Sequence, residues 1–138
     1  MNNILKEDAI QIIEDNNKLK ELKGTNFMIT GASGMVGIYF VNTLLTLNEL
    51  YDYDINLYLI VRSPQKLPSY VLDNKNVHII KQDVTLPFAV DVPVDYVIHA
   101  AGPASPLIMR EKPVETNFAN TLGTANTLMY AKDHNCKG

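Results

Sequence analysis

The stretch Asn26-Phe-Met-Ile-Thr-Gly-Ala-Ser-Gly-Met-Val-Gly37 decides the fold of this chain. The apolar run Phe27 to Ile29 predicts a buried parallel strand, and a long apolar-periodic helix follows the glycines. Gly31 can take the tight turn after the strand, Gly34 lets the backbone approach a pyrophosphate, and Gly37 lets the helix pack closely on the sheet. The stretch therefore predicts a dinucleotide site at the helix N-terminus. The alternative is a plain strand-turn-helix, because the spacing is G-x-x-G-x-x-G and turns use glycine freely.

The composition limits the classes of function. A chain of 138 residues with 46% hydrophobic and 20% charged residues is ordinary for one globular domain. A net charge of −3 leaves no basic footprint, so we expect no nucleic-acid partner. The single cysteine, Cys136, fits a reducing compartment, and we expect the cytoplasm. No apolar run approaches the roughly 18 residues of a membrane span, so we expect no membrane partner.

The residues before the glycine stretch predict an amphipathic helix over residues 3–16. Leu5, Ala9, Ile12 and Ile13 fall on one stripe of it. A helix bound to a membrane surface or a partner is the alternative, which the mixed charges of its polar face disfavour. We assign residues 1–24 to this covering helix and its connector, and residues 25–138 to a dinucleotide-binding domain.

Strand and helix patterns alternate along residues 25–138. Strands are expected at 27–29, 55–61, 77–80 and 94–98, and a poorly patterned crossover at 65–76. This alternation predicts an α/β fold with a doubly wound parallel sheet in the order 3-2-1-4. Two long helices are expected to face the core with apolar stripes. The first stripe is Val36, Phe40, Leu44 and Leu47, widened by Val41 and Leu45, and the second, after Pro113, is Val114, Phe118, Leu122, Ala125 and Met129.

Further motifs follow in the order found in a known family. They are Thr30-Gly-Ala-Ser-Gly-Met-Val-Gly37, Asp83-Val84, His99-Ala-Ala-Gly102, and Thr116-Asn117 with Gly123-Thr124. The chain resembles the N-terminal part of an extended short-chain dehydrogenase/reductase, of the NAD-dependent epimerase/dehydratase family that acts on nucleotide sugars and has a Rossmann-type fold. The run Pro103-Ala-Ser-Pro106 is similar to that of UDP-glucuronate decarboxylases and dTDP-glucose 4,6-dehydratase-like members.

The resemblance implies a role for each matched position. Residues 33–36 would bind the pyrophosphate, Asp83 the adenine amino group, residues 100–102 would line the cofactor, and Asn117 would help to order the site. Asp83 as a turn cap and Asn117 as a solvated helix residue are the alternatives. We expect His99 to be a satisfied core residue, not a base. The cofactor residues are thus Gly31, Ala32, Ser33, Gly34, Met35, Val36, Gly37, Arg62, Asp83, Val84, Ala100, Ala101, Gly102 and Asn117, the substrate residues are Pro103 and Ser105, and no metal is expected.

Arg62 leaves the choice between NAD and NADP open. It follows the second predicted strand, where an acidic side chain would accept a hydrogen bond from the ribose 2′-hydroxyl and an arginine can accommodate a 2′-phosphate. The residue itself therefore favours NADP. The family resemblance favours NAD, because it implies a decarboxylase or dehydratase that keeps NAD bound and recycles it. An arginine can also stack on adenine without contacting a phosphate.

The catalytic pair of the family is absent from this sequence. The family uses a Tyr-x-x-x-Lys pair with a nearby Ser or Thr, and the lysine lowers the pKa of the tyrosine. None of the tyrosines, at 39, 51, 53, 58, 70, 96 and 130, has a lysine four residues later. The resemblance places the pair after a fifth strand, so we expect Gly138 to be a truncation point and this chain alone to be inactive. The full-length protein would bind a nucleotide sugar and form a homo-oligomer.

Two other functions stay open. The first is an extended reductase of thioester or carbonyl substrates, which Val61-Arg62-Ser63 followed by Gln65-Lys66-Leu67 resembles, although the Pro103 to Pro106 run argues against it. The second is a non-catalytic dinucleotide-binding module, which would need no Tyr-Lys pair.

Overall fold

The computed structural model describes residues 3–88 and 90–138. Strands and helices alternate after an N-terminal helix, as the sequence predicts. Short 3-10 helices cover Asn17–Leu22 and Pro64–Lys66. The other elements are α1 (Asn3–Asp15), β1 (Asn26–Thr30), α2 (Met35–Tyr51), β2 (Asn56–Val61), α3 (Ser69–Leu72), β3 (Val77–Lys81), β4 (Tyr96–His99), α4 (Pro106–Glu111) and α5 (Pro113–Asp133).

The strands form a parallel sheet in the order β3-β2-β1-β4, which confirms the predicted order. β1 is central: Met28 is in register with Tyr58 of β2 on one side and with Val97 of β4 on the other. Parallel strands need cover on both faces, and the continuous apolar runs of β1 and β2 provide the buried surface. The carboxyl ends of all these strands therefore meet at one edge of the sheet.

α2 closes the core on one face of the sheet. Its residues Val41, Leu44, Leu45 and Leu47 pack in one cluster with strand residues such as Leu57. α1 lies against α2, with Tyr39 donating a hydrogen bond to Asp8 at 2.9 Å and Lys6 paired with Glu49. Ala9 of the predicted stripe is buried at this contact.

The stripe predicted for α2 is wrong at its N-terminal end. Val36 and Phe40 are exposed, whereas the stripe residues from Val41 onward are buried. α2 begins after β1 has ended at Thr30, so its first turns extend past the strands that would cover them. The first turn of α2 is instead open at the glycine edge of the sheet.

The stripe predicted for α5 is wrong throughout. Its members Val114, Phe118, Leu122, Ala125 and Met129 are all exposed. The buried residues of α5 are Gly123, Thr127 and Tyr130, which form a different stripe along the helix. Because successive helix residues are about 100° apart, this second stripe is rotated by one residue position from the predicted one. α5 therefore approaches the sheet with Gly123, the polar Thr127 and one aromatic ring, Tyr130, which packs with Met28 and Ile60.

The C-terminal residues run beside the outer edge of β4. The Lys137 N–H donates to the Asp95 carbonyl at 2.6 Å, and the Val97 N–H donates to Gly138 at 2.9 Å. The Lys137 ammonium also lies 2.9 Å from the Asp95 carboxylate. Both chain segments run in the same direction, so residues 137 and 138 occupy the position of a further parallel strand next to β4.

Within the described part of the chain, no helix is both long and apolar enough to cross a membrane. The same residues contain no group of histidine, cysteine, aspartate and glutamate side chains that could hold a metal ion.

Candidate dinucleotide site

The fold requires glycine at positions 31 and 37, whether or not a ligand is bound. Gly31 has a φ of +69°, and a Cβ there would lie 2.5 Å from the Ala100 carbonyl oxygen. Side chains rarely adopt this backbone conformation, so the turn needs glycine. A Cβ on Gly37 would collide with the Gly31 carbonyl and lie 2.8 Å from the Ala32 Cα. These two glycines therefore hold β1, β4 and α2 together at the carboxyl edge.

Gly34 is different, because the fold itself does not demand a glycine there. It caps α2 in an ordinary extended conformation with a φ of −78°, and an added Cβ would approach only the Gly31 oxygen, at 3.2 Å. No side chain caps the helix. The N–H groups of Met35, Val36 and Gly37 have no carbonyl acceptor within the helix, since the first intrahelical bond runs from Ile38 to Gly34.

This turn fits a pyrophosphate. Ser33, Met35 and Val36 are exposed around the open N–H groups, and the positive end of the helix dipole lies at the same place. Ala32 is fully buried in the core, so it lies beneath the exposed part of the turn. Glycine at position 34 is also what close approach of a pyrophosphate to the backbone would require.

Arg62 and Asp83 come together at the ends of β2 and β3. The Arg62 guanidinium lies 3.8 Å from one Asp83 oxygen, and the other oxygen accepts both the Thr85 N–H and its hydroxyl at 2.9 Å. The Thr85 N–H is the largest of the causes that hold the pKa of the Asp83 carboxyl below its usual value, and Arg62 adds to it. Asp83 thus does cap a turn, while its second oxygen faces Arg62.

α5 fixes the residue after Asp83. The Val84 carbonyl accepts a hydrogen bond from the Asn126 side chain at 2.9 Å, and Val84 is buried. A Cβ on Gly123 would lie 3.0 Å from Val84 Cγ2, so the close approach of the helix depends on that glycine. The role of Asn126 was not predicted from the sequence.

His99 joins β1, β4 and α5. Its Nδ1 lies 2.8 Å from Thr30 Oγ1 and 3.3 Å from Thr127 Oγ1. Thr30 Oγ1 also accepts the Ala101 N–H at 3.3 Å, and its carbonyl accepts the Ala100 N–H. Burial lowers the pKa of His99 and so favours the neutral ring. His99 therefore acts as a structural residue that holds the segment Ala100–Gly102 next to the glycine turn.

The helix residue beside this segment is Asn120. A Cβ on Gly102 would lie 2.9 Å from Asn120 Oδ1, whereas Asn117 is exposed and its Oδ1 accepts the Thr121 hydroxyl at 3.3 Å. Asn120 is three residues before Gly123, and residues at that spacing share a helix face. Asn120 was not predicted from the sequence, and this spacing is the signal that could have identified it.

Pro103 and Ser105 lie beyond Gly102, in the segment that leads into α4. Both are partly buried, and the Ser105 side chain does not cap α4. They occupy the same edge of the sheet as the glycine turn, since β4 is adjacent to β1.

Comparisons with known proteins identify the family of this chain. The model of the NAD dependent epimerase/dehydratase family matches residues 27–138. UDP-glucuronic acid decarboxylase 6 of Arabidopsis thaliana is 32% identical over 105 residues, which are 76% of this chain and 29% of that protein. This chain thus spans less than a third of that relative's length.

Solved structures show the same Rossmann-type fold. WbmF of Bordetella bronchiseptica, in complex with NAD+, aligns with a TM-score of 0.65 at 22% identity, over 81% of this chain and 33% of that one. DesIV of Streptomyces venezuelae, a dTDP-glucose 4,6-dehydratase with NAD and TYD bound, aligns with a TM-score of 0.65 at 19% identity, over 82% and 37%.

Proposed function

Because the chain belongs to the NAD-dependent epimerase/dehydratase family, we propose that it is the dinucleotide-binding part of an enzyme that modifies a nucleotide sugar. The observation that carries this proposal is the N-terminus of α2. There the Met35, Val36 and Gly37 N–H groups have no acceptor within the helix, and Gly34 leaves space that the fold does not itself require.

Within the family, decarboxylation or dehydration is the reaction class that we propose. The Arabidopsis relative is a UDP-glucuronic acid decarboxylase, and DesIV is a dTDP-glucose dehydratase. Residues 103–106 follow β4 at the same edge of the sheet as the glycine turn, which supports a contact with the sugar. Pro103 and Ser105 are the substrate residues in this proposal.

The chain by itself is proposed to bind without turnover. A bound nicotinamide would supply hydride acceptance, and the protein must move the proton of the sugar hydroxyl. The sequence contains no Tyr-x-x-x-Lys pair for that proton. What these 138 residues do is hold the dinucleotide: the α2 N–H groups at the pyrophosphate, the Arg62–Asp83 pair near the adenosine, and residues 100–102 along the cofactor. A cytoplasmic location and a homo-oligomeric state stay predictions.

The proposal is tested by calorimetric titration with NAD+ and NADP+. We expect the chain to bind at least one of them. Gly34→Val should weaken that binding by roughly tenfold or more, because the valine side chain would keep the pyrophosphate away from the backbone at the start of α2. Ala125→Val adds similar bulk on the exposed face of α5 and serves as the control. Equal affinity in wild type and Gly34→Val, with both folded by far-UV circular dichroism, would refute the site. Reduction of NAD+ or NADP+ by any of a panel of nucleotide sugars would refute the incomplete-enzyme proposal.

A further inference from the structure

The end of β2 lies next to the glycine turn. Thr30 is in register with Ile60, so Gly31 lies level with Val61, and Arg62 is the next residue on the neighbouring strand at the same edge of the sheet. In sheets of this kind the adenosine ribose of a dinucleotide lies at the end of the second strand. Arg62 is thus the first side chain beyond the strand where the ribose 2′-position is recognised.

The segment after β2 carries hydrogen-bond donors and no carboxylate. Residues 61–67 are Val-Arg-Ser-Pro-Gln-Lys-Leu. Recognition of NAD relies on an acidic side chain that accepts the ribose 2′-hydroxyl, and this segment has none. Arg62 and Lys66 are exposed cations, and Ser63 adds a hydroxyl between them. Such a set matches a phosphate, which accepts several hydrogen bonds and carries negative charge.

Asp83 is the carboxylate that faces Arg62, and its arrangement does not replace the missing acid. One of its oxygens is occupied by the Thr85 N–H and hydroxyl, and the other faces the Arg62 guanidinium at 3.8 Å. The side chains are 74% and 38% exposed, and exposed pairs of this kind are weak. Asp83 can therefore keep the guanidinium over the strand ends without preventing a bidentate contact to a phosphate.

We propose that Arg62, assisted by Ser63 and Lys66, makes this site prefer a dinucleotide with a phosphate on the adenosine 2′-oxygen, NADP(H), over NAD(H). The inference rests on the proposed function, since it assumes a dinucleotide on the glycine turn. It also separates this chain from WbmF and DesIV, whose structures hold NAD. Asp83 is a positioning residue in this arrangement, because it acts through Arg62.

The test is the ratio of affinities for NADP+ and NAD+, measured by calorimetric titration of the 138-residue chain. We expect NADP+ to bind more tightly by roughly tenfold or more. Arg62→Asp should abolish or reverse that preference. Lys75→Asp makes the same change of charge at the opposite, amino end of β3 and should keep the preference.

A second pair of probes isolates the adenosine half. 2′,5′-ADP and 5′-ADP differ only in the 2′-phosphate, so their affinity ratio should fall in Arg62→Gln and should decrease with added salt. Wild type that binds NAD+ as tightly as NADP+, or a ratio unchanged in Arg62→Asp, would overturn the inference while leaving the proposed function intact. Binding of neither dinucleotide would overturn both.

Discussion

The two long helices of this protein pack against the sheet in opposite ways. α2 lays Val41, Leu44 and Leu47 on the strands and forms the core of its half of the molecule. α5 faces the sheet with Gly123, Thr127 and Tyr130, and leaves Leu122 and Met129 45% and 62% exposed. α2 is thus held by a row of buried aliphatic side chains, whereas α5 combines one buried aromatic ring, Tyr130 in a cluster with Met28 and Ile60, with close approach and hydrogen bonds.

The difference follows from what each helix positions. α2 must present its first N–H groups at the glycine turn, and a well-packed apolar face behind them keeps the helix in place. α5 positions loops directly, because Asn126 holds the Val84 carbonyl and Thr127 Oγ1 lies 3.3 Å from His99. A polar face is needed for that task. The apolar face of α5 then has no partner within the residues that the structure describes.

Matched leucine truncations on the two helices sharpen this comparison most. Leu47 of α2 is 1% exposed and Leu122 of α5 is 45% exposed. Leu47→Ala should lower the free energy of unfolding by about 2–5 kcal/mol, because it leaves a cavity in the core. Leu122→Ala should change it by less than about 0.5 kcal/mol. Urea denaturation followed by circular dichroism measures both, and a large cost for Leu122→Ala would mean that the exposed stripe is covered in solution.

Matched glycine substitutions separate folding from binding within the turn. Gly37→Ala should destabilise the fold by about 1–3 kcal/mol, since its Cβ meets the Gly31 carbonyl and Ala32 backbone. Gly34→Ala should have a smaller effect, because its Cβ meets only the Gly31 oxygen at 3.2 Å. Thermal and urea denaturation of both variants without ligand provides the measurement. Equal destabilisation by the two alanines would contradict the distinction between a fold glycine and a ligand glycine.

The sequence predicts the glycine turn and the strand ends beside α2 well, because the signals for them are local. Three glycines between an apolar run and a periodic helix define one structure, and the carboxyl ends of parallel strands must meet at one edge, which brings Arg62 and Asp83 together. An aspartate at position 83 with a threonine two residues later also indicates a turn that is capped by the aspartate side chain.

The packing of α5 is harder to predict from the sequence, because it depends on residues that are distant along the chain. Periodicity identifies an apolar face but not the surface that it contacts, so the stripe with Leu122 was assigned to the core when the sheet instead takes Gly123 and Thr127. Asn117 was assigned from the family motif and stays a prediction, whereas Asn120 shares a helix face with Gly123 and lies beside Gly102. Contacts between residues far apart in sequence decide both outcomes.

The smallest expected effect is a pH dependence of the free energy of unfolding that arises at His99, where α5 meets the sheet. Burial lowers the pKa of His99 in the folded protein below the ordinary 6.5, so the unfolded chain binds the proton more readily. The stability that the neutral ring provides is therefore complete above about pH 6.5 and is lost as the pH falls through the folded value. The α2 core, made of aliphatic side chains, has no comparable titration.

Urea denaturation at pH 7.5 and 5.5 tests this, with both values above the carboxyl range in which the lowered pKa values of Asp83 and Asp95 act. The wild-type protein should be less stable at the lower of these two pH values than at the higher one. His99→Asn should lose less, because an amide can place a polar atom near the Nδ1 position between Thr30 and Thr127 and does not titrate. His78→Asn removes an exposed histidine on β3 and should keep the wild-type dependence. If His99→Asn and wild type change equally, protonation of His99 is not what links α5 packing to pH.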